Sequence, residues 1–230
     1  MKASAVIVAG GKGLRMKKKT RKQYLFLAGQ PVLAITLKAF NQCQEINEII
    51  LVVPEDDLDF CRDHILSPLG LNKKIKLIPG GLERQNSVYN GLLAVNEPVA
   101  AIHDGVRPFI HPRQITATIN QAAETGACIL GIKAIDTLKQ ADEKNQVEQT
   151  LERKSIWLAQ TPQTFQYDLI LTAHQRAIKD KYTGTDDAAL VERLGKKVTI
   201  IPGTVLNIKI TSPQDLILAE AIHSAQSWQV

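Results

Sequence analysis

Short apolar runs alternate along the chain with stretches in which apolar residues recur every three or four positions. The runs predict buried strands, and the 3.6-residue period predicts helices. The predicted strands cover 4–9, 48–54, 75–81, 127–136 and 198–202, and 99–109 is predicted as a strand that runs into a polar loop. The predicted helices cover 31–43, 83–95, 114–126, 167–179, 185–194 and 213–225. This alternation indicates βαβ units, so we predict an α/β fold with a mostly parallel sheet flanked by helices.

The pattern breaks over residues 135–161, which are polar with a weak period of two around a turn-like "ADEKNQ". We interpret this segment as a protruding β-arm rather than a second domain; the alternative is a surface hairpin without a partner. Exposed arms of this kind often swap or pack between subunits, so we expect a homodimer.

The stretch "AGGKGLRM", from Ala9 to Met16, follows the first predicted strand. Parallel sheets bind ligands at the carboxyl ends of their strands, and glycines allow backbone N–H groups to approach phosphate oxygens. The spacing is not that of a Walker motif, and a third glycine needed for a dinucleotide-binding turn is absent. A phosphate site is favoured, with a solvated basic turn as the alternative.

Composition narrows the ligand class. The chain has 230 residues and a net charge of +5, and much of the excess lies within residues 12–22. A local anion site explains this charge better than a broad nucleic-acid-binding face, which would also need more aromatic residues than the 5% present.

Apolar runs are shorter than a membrane span or signal peptide requires. The three cysteines form no CxxC pair, and we expect reduced thiols in a cytoplasmic protein.

Seven stretches together carry a family resemblance. "AGGKGLRM…KQY" resembles the signature of nucleotidyltransferases that activate sugar or polyol phosphates. The other six follow in the order found in the 2-C-methyl-D-erythritol 4-phosphate cytidylyltransferases: "GGLERQNSVYNGL", "HDGVRPF", "IDTLK", "WLAQTPQTF", "TDDAALVE" and "NIKITSPQDL". The resemblance implies one Rossmann-like nucleotidyltransferase domain over 1–230, an arm-mediated homodimer, CTP and methylerythritol phosphate as substrates, and a divalent cation, usually Mg²⁺. It also implies a place in non-mevalonate isoprenoid synthesis.

The resemblance also assigns residues on the nucleotide side. Four residues match the loop that wraps CTP: Ala9, Gly10, Gly11 and Gly13. Arg15 and Lys22 match two catalytic cations that act in the transition state. Gly81 and Ser87 match the positions that hold cytosine and its sugar, and Asp104 matches the nucleotide-side carboxylate that carries the metal.

A second set matches the groups around the polyol phosphate. Its members are Arg107, Thr137, Arg153, Thr161 and Lys209. Arg153 lies in the arm, so in a family-like dimer it would serve the partner's site. Asp186 and Asp187 are interpreted as helix-start acids rather than metal ligands, with Thr185 as the predicted cap. His103 is interpreted as a packed strand residue, because the attacking phosphate is already anionic and needs no general base.

Two departures from the family pattern stand out. Gly10 occupies a position that is often Ala, and Leu82 one that is often Asp. The nearest alternative function is ribitol-5-phosphate cytidylyltransferase, since it shares most of these motifs. "ERQNSVYNGL" and "TDDAALVE" look more like the methylerythritol enzyme. A nucleotide-sensing module without activity is disfavoured by the joint presence of Arg15, Lys22, Asp104 and Lys209.

Overall fold

The computed structural model describes residues 1–10 and 21–227, with side chains up to residue 225. The described strands are β1 (Ala3–Val8), β2 (Phe26–Leu27), β3 (Gln30–Pro31), β4 (Ile46–Val53), β5 (Lys74–Pro79), β6 (Val99–Asp104), β7 (Ala127–Lys133), β8 (Lys139–Ala141), β9 (Val147–Thr150), β10 (Trp157–Gln166) and β11 (Thr199–Pro202). The described α-helices are α1 (Val32–Gln42), α2 (Leu58–Phe60), α3 (Ser67–Leu69), α4 (Arg84–Leu92), α5 (Pro112–Thr125), α6 (Tyr167–Lys179), α7 (Asp187–Arg193) and α8 (Pro213–Ser227). A π-helix, Cys61–Leu66, connects α2 to α3.

Seven of the described strands form the central sheet in the order β11-β7-β10-β6-β1-β4-β5. The pairs β1–β4, β1–β6, β4–β5 and β7–β11 are parallel, whereas β10 runs antiparallel to both β6 and β7. The prediction of a mostly parallel sheet flanked by helices is therefore confirmed. The short strands β8 and β9 pair with each other inside the predicted arm.

Alternate residues of β1 contribute to two separate cores because successive strand side chains point to opposite faces. Ala5 and Ile7 pack in a cluster with α1 and α5, while Val6 and Val8 pack with α4, α6 and α7. Because both faces of the strand are covered, it reads as a continuous apolar run. A third cluster joins α8 to residues beside Arg107 and Lys209, namely Val106, Phe109 and Ile210.

The arm prediction extended too far along the chain. Residues 157–161 belong to β10, which lies between β6 and β7 in the central sheet. The hydrophobic pattern does not predict this strand, because some of its buried side chains, such as Gln163 and Thr164, are polar. Their polar groups have internal partners: Gln163 Oε1 accepts from the backbone of α7, and Thr164 donates to Thr118.

Two helix starts also differ from prediction. Pro31 precedes α1 in an extended conformation instead of occupying its first helical position. Asp186, not Thr185, caps α7, because the Asp186 carboxylate accepts a hydrogen bond from the Ala189 backbone. The helical residues between Leu58 and Leu69 were not predicted, and they bury Cys61 and Ile65 against the core.

Candidate active site

A cleft of about 1090 Å³ opens beyond the carboxyl ends of β1, β4, β5 and β6. Its lining includes residues that directly follow these four strands, as expected for an open parallel sheet. Described residues that line it include Ala9, Gly10, Arg21, Lys22, Gln23, Gly80, Gly81, Leu82, Glu83, Arg84, Ser87, Asp104, Val106 and Lys209. The sequence-predicted residues Gly11, Gly13 and Arg15 lie outside the described residues.

Two glycines allow the ends of β1 and β5 to approach the first turn of α4. A Cβ atom on Gly10 would lie 3.2 Å from Ser87 Oγ, and one on Gly80 would lie 3.0 Å from the same atom. Ser87 is itself buried and holds the turn, since its Oγ accepts from Gly81 N at 3.0 Å and donates to Glu83 O at 3.1 Å. The departure from Ala at Gly10 thus falls where side-chain space is scarce.

The end of the basic stretch and the residue that follows it are held to the segments after β1 and β4. Gln23 Nε2 donates to Ala9 O at 2.7 Å. Arg21 Nη1 lies 3.1 Å from Asp57 Oδ2, which also accepts from the Tyr24 hydroxyl at 2.9 Å. Lys22 begins a 3₁₀-helix between these contacts and lines the cleft. Its backbone position is therefore fixed from both sides.

Asp104 is the electrostatic centre of the cleft. Its carboxylate lies 2.8 Å from Lys209 Nζ, 3.1 Å from Arg84 Nε and 3.6 Å from Arg107 Nε. Only 6% of Asp104 is exposed. Burial by itself would raise the pKa of this carboxyl, but Arg84, Lys209 and Arg107 outweigh it and hold the pKa well below its usual range. Asp104 is therefore a carboxylate at neutral pH.

Arg84 is a site residue that the sequence analysis did not assign. Its guanidinium spans Asp104 and Asp187, with Nη1 2.8 Å from Asp187 Oδ2. His174 Nε2 approaches the other Asp187 oxygen at 3.2 Å. Asp187 is thus a buried partner of Arg84. Arg84 lies within the "GGLERQNSVYNGL" motif, but its partner Asp187 lies 103 positions away along the chain, so the motif does not reveal the pair.

His103 is packed in β6 and holds neighbouring groups in place. Its Nε2 lies 3.1 Å from the Arg107 carbonyl oxygen, and its Nδ1 lies 3.0 Å from the Thr161 hydroxyl. Because a carbonyl only accepts, Nε2 carries the hydrogen, and Nδ1 accepts from Thr161. Burial lowers the pKa of His103 to about 4. The interpretation of His103 as a packed strand residue is confirmed.

The residues predicted around the polyol phosphate divide into two groups. Lys209 lines the cleft, and Arg107 and Thr161 contact Asp104: Arg107 through its guanidinium and Thr161 by accepting from the Asp104 backbone at 3.2 Å. Thr137 and Arg153 are exposed in the arm and are not part of the described cleft lining. Arg153 instead donates to the Ile135 carbonyl at 2.6 Å.

The described residues contain no cluster of three or more His, Cys, Asp or Glu side chains placed to hold a metal ion. Asp104 is the sequence-predicted ligand. A single carboxylate fits Mg²⁺ when substrate phosphates and water complete the coordination. Within the described residues, no helix is both long and apolar enough to cross a membrane.

Comparison with known proteins identifies the family. Residues 3–225 match the family model of 2-C-methyl-D-erythritol 4-phosphate cytidylyltransferase (IspD). The chain is 48% identical over 231 residues to the protein of that name from Syntrophus aciditrophicus, covering 100% of this chain and 99% of the relative. The relative of the same name from Pelotomaculum thermopropionicum is 44% identical, with 100% and 97% covered.

Solved structures agree with this match. The 4-diphosphocytidyl-2C-methyl-D-erythritol synthase of Anaerococcus prevotii superposes with a TM-score of 0.87 at 35% identity, covering 97% of this chain and 96% of that chain. The 2-C-methyl-D-erythritol 4-phosphate cytidylyltransferase of Thermus thermophilus superposes with a TM-score of 0.80 at 31% identity, covering 97% and 100%.

The chain belongs to the 2-C-methyl-D-erythritol 4-phosphate cytidylyltransferase family. The predicted nucleotidyltransferase fold and enzyme class are confirmed. The predicted function is also confirmed: it is CTP-dependent cytidylyl transfer to methylerythritol phosphate in isoprenoid precursor synthesis. The ribitol phosphate alternative is not favoured, because the relatives described above all carry the methylerythritol name.

Proposed function

We propose that the cleft around Asp104 transfers CMP from CTP to 2-C-methyl-D-erythritol 4-phosphate and releases pyrophosphate. The convergence of Lys209, Arg84 and Arg107 on the Asp104 carboxylate is the observation that carries this proposal. A phosphate oxygen of the polyol attacks the α-phosphorus of CTP in line with the departing pyrophosphate. Both reactants are polyanions, so positioning and charge stabilisation supply most of the catalysis.

The nucleotide is assigned to the end of the cleft that Ala9, Gly10, Gly81 and Ser87 line. The close approach of the Gly10 and Gly80 backbones to Ser87 supports this role, because it leaves main-chain atoms rather than side chains at the cleft wall. Gly11 and Gly13 are proposed to bind the nucleotide as well. Leu82 is 92% exposed at this end and presents an apolar surface where the family often has Asp.

Lys22 and Arg15 are proposed to stabilise the negative charge that develops at the α-phosphorus. The position of Lys22 supports its part, since it lines the cleft and the residues flanking it are held to Ala9 and Asp57. A preorganised cation loses little free energy to rearrangement during the reaction.

The polyol phosphate is assigned to Lys209 and Arg107, and Thr161 is proposed to support this end of the cleft. Lys209 offers a point charge and Arg107 a planar fork, which together suit a dianionic phosphate. The Thr161 hydroxyl donates to His103 and accepts from the Asp104 backbone, so we assign it the orientation of Asp104 within this end of the cleft. Asp104 is the proposed Mg²⁺ ligand, and the ion would neutralise triphosphate charge.

A homodimer is proposed in which Arg153 and Thr137 of each arm complete the partner's polyol site. The exposure of the arm supports it: β8 and β9 are exposed throughout, and Ile135 and Val147 are 74% and 60% exposed. A two-stranded ribbon is marginally stable alone and gains stability from a covering surface. We further propose that residues 1–230 act as one domain in the cytoplasm, where three reduced cysteines are expected.

Pyrophosphate release tests the activity directly. The purified chain, supplied with CTP and Mg²⁺, is given either 2-C-methyl-D-erythritol 4-phosphate or ribitol 5-phosphate. We expect release with the first substrate to exceed release with the second by at least ~100-fold in kcat/KM, a bound below the roughly 10⁴-fold discrimination available when buried polar groups of a site are left unpaired. Equal or faster release with ribitol 5-phosphate would contradict the assignment, as would no release with either.

A further inference from the structure

Asn207 is buried at the junction of three segments that carry proposed polyol-phosphate groups. It is 0% exposed and is not part of the described cleft lining. Its side-chain Nδ2 donates to the Thr161 carbonyl at 2.9 Å. Its own carbonyl accepts from Arg107 Nη1 at 2.8 Å. One residue thus joins the segment of Thr161 to the segment of Arg107.

Lys209 follows two positions later and is held by the same attachment. Ile210 N donates to the Val106 carbonyl at 2.9 Å, so Asn207 and Ile210 attach both sides of Lys209 to the segment 106–107. Ile210 is also buried in the cluster with Val106 and Phe109. The Lys209 backbone is therefore fixed relative to Arg107, and its side chain reaches Asp104 from a defined position.

Asn207 is in turn positioned by Gln160. Gln160 Nε2 donates to the Thr204 carbonyl at 2.8 Å and approaches the Asn207 carbonyl at 3.5 Å. The Asn207 amide approaches Gln160 Oε1 at 3.5 Å. Both residues are buried, so loss of a partner would leave polar atoms without water to replace it.

We propose that Asn207 is a positioning residue that sets the relative placement of Arg107, Thr161 and Lys209 and thereby the affinity for the polyol phosphate. This inference rests on the proposed assignment of those three residues to the polyol site. Asn207 itself touches no substrate in this scheme. A purely structural Asn would stabilise the fold without favouring one substrate over the other, which gives the two roles different kinetic signatures.

The test compares Asn207→Leu with the matched variant Thr164→Val. Leu keeps a similar side-chain volume and removes the donor to Thr161. Thr164→Val removes a buried hydroxyl that donates to Thr118 at 2.9 Å; Thr164 lies on β10, as Thr161 does, but is not part of the described cleft lining. Each variant is measured for methylerythritol phosphate KM, CTP Kd and melting temperature. Gln160→Met, which loosens Asn207 without replacing it, is measured alongside in case Asn207→Leu does not fold.

We expect Asn207→Leu to raise the polyol phosphate KM at least ~10-fold, with CTP Kd changed less than ~2-fold, as expected when buried hydrogen-bond groups lose their partners. Gln160→Met should shift the same quantity in the same direction, and Thr164→Val should not. Equal weakening of both substrates, or an unchanged polyol KM in the folded variants, would overturn the inference. A wild-type chain that releases no pyrophosphate would instead contradict the proposed function.

Discussion

Lys209 Nζ and Asp104 Oδ2 lie 2.8 Å apart in the lining of the cleft. The first is the proposed ligand of the polyol phosphate, and the second is the proposed ligand of the nucleotide-bound metal. The two halves of the site are therefore held in register by a direct ion pair before either substrate binds. Arg84 and Arg107 share the same carboxylate, so a change at one cation alters the environment of the others.

Lys209→Ser should weaken methylerythritol phosphate far more than CTP. The change removes a cation that would face the dianionic phosphate, and a charge-assisted contact of this kind contributes about 2 kcal/mol, or roughly 30-fold in Kd. Asp104 keeps Arg84 and Arg107 as partners, so the nucleotide side should persist. Calorimetric titration with each substrate measures the two affinities separately.

The exposed Lys196→Ser variant is the control. It removes the same charge from the loop that follows α7, and Lys196 is not part of the described cleft lining. It should leave both affinities unchanged. If Lys209→Ser weakens CTP as much as the polyol phosphate, Lys209 acts on the triphosphate or on the fold, and its assignment to the polyol site is wrong.

Arg84→Met should destabilise the protein by about 3 kcal/mol, because it leaves the buried carboxylate of Asp187 without its guanidinium partner. Urea unfolding measures the loss. Arg62→Met is the matched control, since the Arg62–Asp59 pair is exposed and should contribute less than ~1 kcal/mol. In an Asp187→Asn background the Arg84→Met change should cost less. An equal cost in both backgrounds would show that the pair is not coupled.

The sequence predicted the elements whose hydrophobic pattern is simple. Residues 5–8 of β1 and 49–53 of β4 are continuous apolar runs because both of their faces are covered. Helix α5 shows the helical period and ends just before Gly126, whose φ is 90°. β10 was not predicted, because its buried residues are largely polar and form hydrogen bonds with partners distant in sequence. Hydrophobic periodicity does not report such pairing, so the arm was extended into the sheet.

The sequence likewise predicted some of the site residues and missed others. Glycine and charge at strand ends, together with the family resemblance, predicted Gly10, Gly81, Asp104 and Lys209, all of which line the cleft. Arg84 and Asn207 were missed because their roles arise from partners across the fold. Arg84 pairs with a carboxylate 103 positions away, and Asn207 bonds to a carbonyl 46 positions away. Single residue types in a motif do not reveal such contacts.

Glu48→Gln should lower stability at neutral pH and lose that effect in acid. Burial alone would raise the pKa of Glu48, but Lys76, Ser4 and Asn96 outweigh it, so the pKa is lowered from 4.5. A carboxyl with a lowered folded pKa adds stability above its unfolded pKa and loses it as pH falls through the folded value. Urea unfolding should show a cost of about 2 kcal/mol at neutral pH that shrinks below pH ~4.5.

The exposed Glu192→Gln variant should stay within ~0.5 kcal/mol of the parent across the same pH series. A Glu48→Gln cost that is constant from neutral pH into acid would mean that the Gln amide disrupts packing and that the carboxylate charge contributes nothing.

Mixing two inactive variants tests whether the arm completes a neighbour's site. Arg153→Ala should lose the exposed arm cation, and Lys22→Ala the proposed transition-state cation, each lowering kcat/KM by roughly 100-fold. In a heterodimer that shares sites, one site combines the Lys22 of one protomer with the Arg153 of its partner, and the other site lacks both. Unfolding and refolding the two variants together should therefore raise pyrophosphate release well above that of either variant refolded alone. Two Lys22→Ala preparations refolded together provide the control for concentration and recovery. If reassembled mixtures of verified heterodimers are no more active than their parents, Arg153 serves its own chain or no site at all.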